Sequence, residues 1–364
     1  ATVEAKKPEI APDGRLGQAE RYALGANTNP LRFGEYYVPF VYATNGSEIW
    51  FRDARADGNL SREVKAFHTP RALQEMLGRE RDKEMRALMT WANDRDGLRG
   101  YQAEANAAVE RAIRDGKRRM LVAMATGTGK TYTTVNQVYR LMKTGVAQRV
   151  LFLVDRRALA AQAVREFKSF QAEPGQKFHD IYEVYSSRFQ REEMGDDEAF
   201  DPTVMPRKHL EDPTPGHAFV YVCTVQRMAI NLFGRGAVWH DDEAIEEDED
   251  RLSIPIHAFD LVIADECHRG YTAKEESIWR DTLSYFDAVT VGLTATPAAH
   301  TLGFFNTLAY RYDYEQAVRD GHLVDYDVVN IRSNVRMEGV FLREGETVEL
   351  VDVEEHGVRQ LDLL

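Results

Sequence analysis

The sequence predicts an α/β chain built on a doubly wound parallel sheet. Three observations predict it. Short apolar runs recur from residue 119 onward, helical patterns separate them, and a glycine-rich turn joins the first run directly to a helix. The runs are "RMLVAMA", "RVLFLVD", "AFVYVCT", "FDLVIAD" and "DAVTVGLTA". Strands that are apolar throughout, rather than alternating, fit a sheet buried on both faces, and intervening helices make its strands parallel.

Upstream of that sheet the pattern differs. "TVEAKKPE" reads as an opening strand, "GRLGQAERYALGAN" as a short helix, and "YYVPFVYATNGSEIWFRDAR" as a hairpin turned by Asn45-Gly46 between β-rich flanks. Residues 70–115 are helical in pattern. Pro70 suits a first-turn position in "TPRALQEML", and "YQAEANAAVERAIRDG" ends on a glycine. A linker is expected within residues 53–70. The polar stretches 186–217 and 240–253 interrupt the βα rhythm and read as surface insertions. There is no internal repeat.

With 364 residues and 43% hydrophobic content, the chain can fill one large core and a smaller one. Its two cysteines, Cys223 and Cys267, are too few for a disulfide framework or a four-ligand zinc site, which fits a reducing cytoplasm. No apolar run approaches the roughly 18 to 20 residues of a membrane span, and no signal-peptide pattern opens the chain, so a soluble protein is expected. The formal charge of -13 is uneven, because "DDEAIEEDED" at 241–250 holds eight acids and leaves -5 for everything else. Such a run is a solvated loop. Global charge therefore neither favours nor excludes nucleic acid, whose attraction depends on local Lys and Arg clusters.

The residues richest in chemistry are "ATGTGKTYTT" at 125–134. Gly127 and Gly129 allow the backbone of Thr126, Thr128 and their neighbours to aim N–H groups at phosphate oxygens, aided by the helix N-terminus. Lys130 would hold the β- and γ-phosphates and Thr131 would offer its hydroxyl to Mg²⁺. Met124 stands where the general pattern has its first glycine. An ordinary strand-to-helix turn is the alternative. "FDLVIADECHRG" ends an apolar strand with Asp265 and Glu266, where open α/β sheets place ligands. Asp265 would complete the Mg²⁺ shell, and Glu266 would activate water for attack on the γ-phosphate of ATP. Near the N-terminus, Glu4 and Lys6 flank Ala5 and so face one side of a strand. A carboxylate and a lysine so placed can ligate a divalent metal and position water, but an exposed surface strand has the same composition.

"ATGTGKT", "DECHRG" and "GLTATP", in this order, resemble motifs I, II and III of the DEAD/DEAH-box superfamily 2 helicases and translocases. The resemblance implies a RecA-like motor domain. It implies that Gln102 reads adenine and that Thr294 and Thr296 couple hydrolysis to movement. "VDRRALAAQ" and "YVCTVQRM" resemble motifs Ia and Ib, which makes Arg156, Arg157, Thr224 and Gln226 candidates for touching the nucleic-acid backbone. Cys267 replaces the usual alanine of the DEAH-type box and is expected to act as a small apolar residue.

"PFVYATNGSEIWFRDAR" followed by "LRGYQAEAN" and "MATGTGKT" resembles the restriction subunit of type I restriction-modification enzymes. That family joins a PD-(D/E)xK nuclease to a duplex-DNA translocase. Its nuclease carries an E-x-K strand and then a Q-x-x-x-Y helix, matched by Glu4-Ala5-Lys6 and by Gln18 with Tyr22. The resemblance implies ATP and Mg²⁺ as cofactors, Glu4 as a metal ligand, and double-stranded DNA with methylation and specificity subunits as partners. It places the C-terminal part of a nuclease domain in 1–60, a helical linker in 61–95, the first RecA-like domain in 96–330, and the start of a connection to a second motor domain in 331–364. It also implies that the nuclease aspartate lies upstream of residue 1, and the later helicase motifs downstream of residue 364. A free-standing helicase with a non-nuclease N-terminal module is the main alternative. A nucleotide-regulated scaffold is the other, and Glu266 speaks against it.

Overall fold

A computed structural model describes residues 1–12, 16–27, 29–55, 61–95, 97–187, 203–237, 251–267, 272–325, 348–350 and 359–361. The acidic run 241–250 and most of 331–364 lie outside the described residues.

The N-terminal module is a four-stranded sheet of β1 (Thr2–Ala5), β2 (Phe40–Thr44), β3 (Ile49–Asp53) and β4 (Arg62–Val64), in that order. Strand β1 runs parallel to β2, and the remaining pairs are antiparallel. The β2–β3 turn is the expected one. Gly46 has φ +91°, and Asn45 Oδ1 accepts from the amides of Ser47 and Glu48 at 3.0 and 2.8 Å. Helix α1 (Leu16–Gly25) lays Leu16, Ala19 and Ala23 on Val41 and Ala43. The alternate residues Phe40, Tyr42 and Phe51 face the other way, where they pack with Leu73, Met76, Leu77, Ile256 and Tyr285. The module's sheet is therefore apolar on both faces, with its second face closed by the rest of the chain.

The stretch expected to be linker starts as a strand. Three-residue β4 pairs with β3 in the register Ile49↔Val64, too short to announce itself by periodicity. Helices α2 (Pro70–Gly78) and α3 (Arg81–Thr90) follow, and α4 (Gly100–Arg114) leads into the large sheet. Thr69 caps α2 by accepting from the Ala72 amide, with Pro70 in the first turn.

The second sheet has eight strands. In chain order they and their helices are β5 (Arg119–Met124), α5 (Lys130–Lys143), β6 (Arg149–Val154), α6 (Arg157–Ser169), then a small hairpin of β7 (Gln171–Glu173) and β8 (Gln176–Lys177). There follow β9 (Glu183–Ser186), β10 (Thr203–Val204), β11 (Phe219–Thr224), α7 (Val225–Phe233), β12 (Leu261–Ala264), α8 (Ala273–Tyr285), β13 (Val289–Thr294), α9 (Ala299–Phe305), β14 (Leu308–Tyr312) and α10 (Tyr314–Arg319). The spatial order is β10-β9-β11-β6-β12-β13-β5-β14, parallel throughout. Alternate residues of a strand enter opposite cores: Met120 and Val122 of β5 pack in one, Leu121 in the other. This is the doubly covered parallel sheet that the apolar runs predict, and it fits the RecA-like fold that the motif resemblance implies.

One expected insertion is corrected. Residues 203–217 supply edge strand β10 and a helical turn at Arg207–Glu211, and Met205 and Leu210 are buried against the sheet. Of the second expected insertion, residues 240–250 are outside the described set.

The module and the large sheet are fixed together by Asp287, buried in the loop before β13. Its Oδ1 receives Arg62 Nε at 2.5 Å and Arg118 at 2.8 Å, and its Oδ2 receives Arg62 at 2.7 Å and His68 Nε2 at 2.9 Å. The other ring nitrogen of His68 bonds the Tyr42 hydroxyl at 2.8 Å. Burial alone would raise the carboxyl of Asp287, but Arg62, Arg118 and the His68 hydrogen bond hold it well below the usual range. Arg149 with Glu75 and Arg79 with Asp260 add two more ion pairs between α2 or its C-terminal end and the sheet.

Candidate functional site

Because every strand of the large sheet points the same way, the residues that follow their carboxyl ends share one edge. In spatial order the residues at or just past these ends are Thr224 ending β11, Asp155 and Arg156 after β6, Asp265 and Glu266 after β12, Thr294 ending β13, and the turn from Ala125 after β5.

The turn after β5 is tightly wound. Gly127 and Gly129 adopt φ +84° and +78°, conformations that carry a steric cost for side-chain-bearing residues. A Cβ on Gly129 would lie 2.6 Å from Gln102 Nε2. The turn is held from below. Tyr101 Oη and Gln102 Nε2 donate to the Thr128 carbonyl at 2.9 and 3.0 Å, while Gln102 Oε1 accepts from the Arg99 amide at 2.9 Å. Gln102, expected at adenine, is thus buried against the backbone of the turn. Thr128 also faces inward, its hydroxyl donating to the Ala125 carbonyl at 2.6 Å. Thr126 is exposed, and Lys130 and Thr131 are partly accessible at the start of α5.

The acid turn after β12 is pinned on both sides. Asp265 N–H donates to Leu153 on β6 at 2.8 Å, Cys267 N–H to Leu293 on β13 at 3.1 Å, and Glu266 N–H to its neighbour Asp265 Oδ1 at 2.9 Å. Glu266 takes φ +49°, the left-handed region where a non-glycine residue costs about 1–3 kcal/mol and persists only when its surroundings hold it. There its carboxylate approaches the first residue of α5: Lys130 Nζ and Glu266 Oε1 are 3.5 Å apart. Cys267 is buried, and burial together with the Asp265 charge pushes its thiol up, which leaves it an apolar filler. His268, Arg269 and Gly270 lie outside the described residues.

Beyond β13, Thr294 is buried and its hydroxyl accepts from the Thr296 amide at 3.1 Å, while Thr296 is exposed. Among the proposed backbone-contacting residues, Arg156 is exposed beside Asp155, 3.5 Å away. Arg157 is half-buried at the start of α6. Thr224 is not a surface group. It is buried, and its hydroxyl caps α7 by accepting from the Arg227 amide at 3.2 Å. Gln226 follows it with a buried Oε1 that has no partner among the described residues.

At the N-terminus, β1 and α1 bring four expected residues into one connected chain. Lys6 Nζ lies 2.5 Å from Glu4 Oε1 and donates to Gln18 Oε1 at 2.9 Å, and Gln18 Nε2 donates to Tyr22 Oη at 2.9 Å. Glu4 is buried and Tyr22 is half exposed. The spacing of four between Gln18 and Tyr22 sets them on one face of α1, turned to the strand end. Among the described residues, no three His, Cys, Asp or Glu side chains converge as a ready metal cage. No helix among them is long and apolar enough to cross a membrane.

Tyr101 is the site residue that sequence reasoning missed. A tyrosine at a helical core position gives no chemical signal, and only its reach to Thr128 reveals it.

Residues 95–299 match the family described as Type III restriction enzyme, res subunit, and residues 1–77 match the second domain of the type I restriction enzyme EcoKI endonuclease subunit. The chain is 33% identical to the type I restriction enzyme EcoKI endonuclease subunit of Escherichia coli (strain K12), over 96% of this chain and 32% of that protein. It is 30% identical to the EcoAI endonuclease subunit of Escherichia coli, over 85% of this chain and 35% of that protein. The chain therefore spans about a third of the length of these curated relatives.

Proposed function

The chain belongs to the restriction-enzyme res-subunit family, in its type I branch of endonuclease subunits, and from that premise we propose that it is the part of an ATP-dependent DNA translocase and endonuclease that holds the first motor domain and a nuclease segment. The observation that carries the motor half is the 3.5 Å approach of Lys130 to Glu266. It joins a phosphate-binding turn to a strand-end carboxylate, the two parts that nucleotide hydrolysis requires.

The residues present fit ATP and Mg²⁺. The αL glycines at 127 and 129 leave no Cβ over the backbone amides of the turn, and Lys130, Thr131 and Asp265 supply the cation, hydroxyl and carboxylate suited to phosphate and Mg²⁺. Bound Mg²⁺ would neutralise charge developing on the phosphates. Glu266 accepts a proton from the attacking water, and Lys130 orients the terminal phosphates. Tyr101 and Gln102 keep the turn in shape from beneath.

For the nuclease half, support comes from the Glu4–Lys6–Gln18–Tyr22 chain of contacts. Glu4 would ligate a divalent metal with carboxylates from elsewhere in the protein, and Lys6, steadied by Gln18, would hold or deprotonate the water that attacks the phosphodiester. Double-stranded DNA and the methylation and specificity subunits are the proposed partners. The match of residues 1–77 to a type I endonuclease-subunit domain favours this assignment over a free-standing helicase.

The test is a pair of assays on the full-length protein assembled with its partner subunits. Triplex displacement along a duplex should require ATP and Mg²⁺, and plasmid cutting should require both as well. Strand separation without triplex displacement would instead identify a helicase.

A further inference from the structure

The P-loop is attached to the segment that follows the last strand of the sheet, and through three separate contacts. The backbone amide of Ala125, at the root of the loop, donates to the Tyr312 carbonyl at 2.9 Å. The ring of Tyr312 stacks flat on that of Tyr101, with centroids 4.2 Å apart and planes 7° from parallel, and Tyr101 in turn donates its hydroxyl to the Thr128 carbonyl inside the loop. The Leu323 side chain packs at the apex, 3.1 Å from where a Cβ on Gly127 would stand.

The segment from Tyr312 to Val324 is itself braced. Tyr312 Oη donates to Asp320 Oδ2 at 2.9 Å, and Tyr314 Oη to the Val324 carbonyl at 2.6 Å. The amides of His322 and Leu323 both return to the Ala317 carbonyl, at 2.8 and 3.1 Å, closing the end of α10. His322 lies against Tyr101, with ring centroids 4.9 Å apart. Tyr101 and Tyr312 are both buried, and the Tyr101 hydroxyl bond to Thr128 sits in a medium that strengthens it and penalises its loss.

These contacts have a mechanical meaning. Gly127 is one of the loop's two left-handed glycines, and wrapping a phosphate requires the amides around it to adopt one arrangement. A side chain packed on that position cannot ignore the arrangement, because close-packed groups move together or lose contact. Resting on the nucleotide-site reading above, we propose that Tyr101 is a positioning residue of the nucleotide site, and that Leu323 and the Tyr101–Tyr312 stack link occupancy of the P-loop to the placement of residues 312–324. The effect acts on the chain just beyond the sheet, so it offers a route by which bound nucleotide is sensed outside its own pocket.

Hydrogen exchange on the full-length protein tests the link, read on peptides covering residues 125–131 and 312–324 with and without Mg²⁺ and a non-hydrolysable ATP analogue. In the wild type, the analogue should slow exchange in both. In Leu323→Ala, protection of 125–131 should persist while that of 312–324 falls, and Leu323→Met, which keeps the apolar bulk, should restore it. Tyr101→Phe removes the bond to Thr128 and keeps the stack; it should raise KM for ATP about 2- to 10-fold with little change in kcat. Protection of 125–131 alone in the wild type would overturn the link while leaving the nucleotide site standing, as would an unchanged pattern in Leu323→Ala. Absence of protection at 125–131 in the wild type would instead overturn the nucleotide site and the link with it.

Discussion

Lys130 and Glu266 stand 3.5 Å apart across the carboxyl edge of the sheet, one opening α5 and the other held at φ +49° in the turn after β12. On the proposed reading each has a different task in hydrolysis, so their substitutions should separate. In the full-length protein Lys130→Ala should weaken ATP binding about 10- to 100-fold, the value of a charge-assisted contact. Glu266→Gln should bind ATP normally and turn over about 10²- to 10⁴-fold more slowly, because shape is kept and the base is lost. Fluorescent-nucleotide titration beside phosphate release distinguishes the two. Normal turnover by Glu266→Gln would remove it from the role of base.

Lys6 shares no ligand with that site. Lys6→Ala should lower plasmid cutting about 10²- to 10⁴-fold while triplex displacement continues at the wild-type rate. Continued cutting would reduce the Glu4–Lys6 pair to a surface contact, and loss of both activities would indicate misfolding.

Asp287 is where the N-terminal module and the motor sheet depend on one carboxylate. Asp287→Ala would leave the part-buried Arg62 and Arg118 without their shared partner, a loss of about 1–3 kcal/mol. The measurement is urea unfolding. Because the folded carboxyl sits well below its unfolded value of about 3.9, its contribution is present above that pH and disappears only as the pH falls through the lower folded value. Asp287 should therefore add no slope to the stability curve between pH 5 and 8.

His257 should supply a slope instead. Burial, with His68 and Arg149 nearby, lowers it from 6.5 to about 4, so between those values the unfolded chain binds more protons than the folded one. Stability should fall as the pH drops from 6.5 toward 4. Replacing the imidazole in His257→Gln should flatten the dependence of the urea midpoint in that window; an unaltered curve would assign it to another group.

Gly292 in the middle of β13 carries the last prediction. A Cβ there would overlap three carbons of the Phe305 ring, which is fully enclosed. Gly292→Ala should cost about 1–3 kcal/mol, as overpacking does. Adding Phe305→Leu should recover part of it, and a double variant no more stable than the single would show that the ring is not the obstacle.

Much of this was legible in the order of residues. Five apolar runs became β5, β6, β11, β12 and β13 because a two-sided core demands such runs. Lys130, Asp265 and Glu266 were readable as candidates because each stands in a motif with fixed neighbours along the chain, and the fold brings them to one edge of the sheet. What stayed hidden depends on distant pairing. Strand β4 is three residues long and β10 two, below any readable period. Asp287 meets Arg62 across 225 positions, and no local pattern marks either as a partner. Side-chain orientation was also not legible: a motif gives identity alone, and the fold turns the side chains of Gln102 and Thr128 toward the backbone of the loop itself.

The four-way bonding of Asp287 also fixes a ruler. With Arg62 from the N-terminal module and Arg118 from the root of β5 gripping the same carboxylate, the two sheets are tied at this seam by one shared group. On the proposed reading, an enzyme so joined would cut at a constant offset from the base pairs its motor holds. Any spread in its cleavage positions would then record where the motor came to rest, and would narrow to a single distance when the motor is stalled at a roadblock.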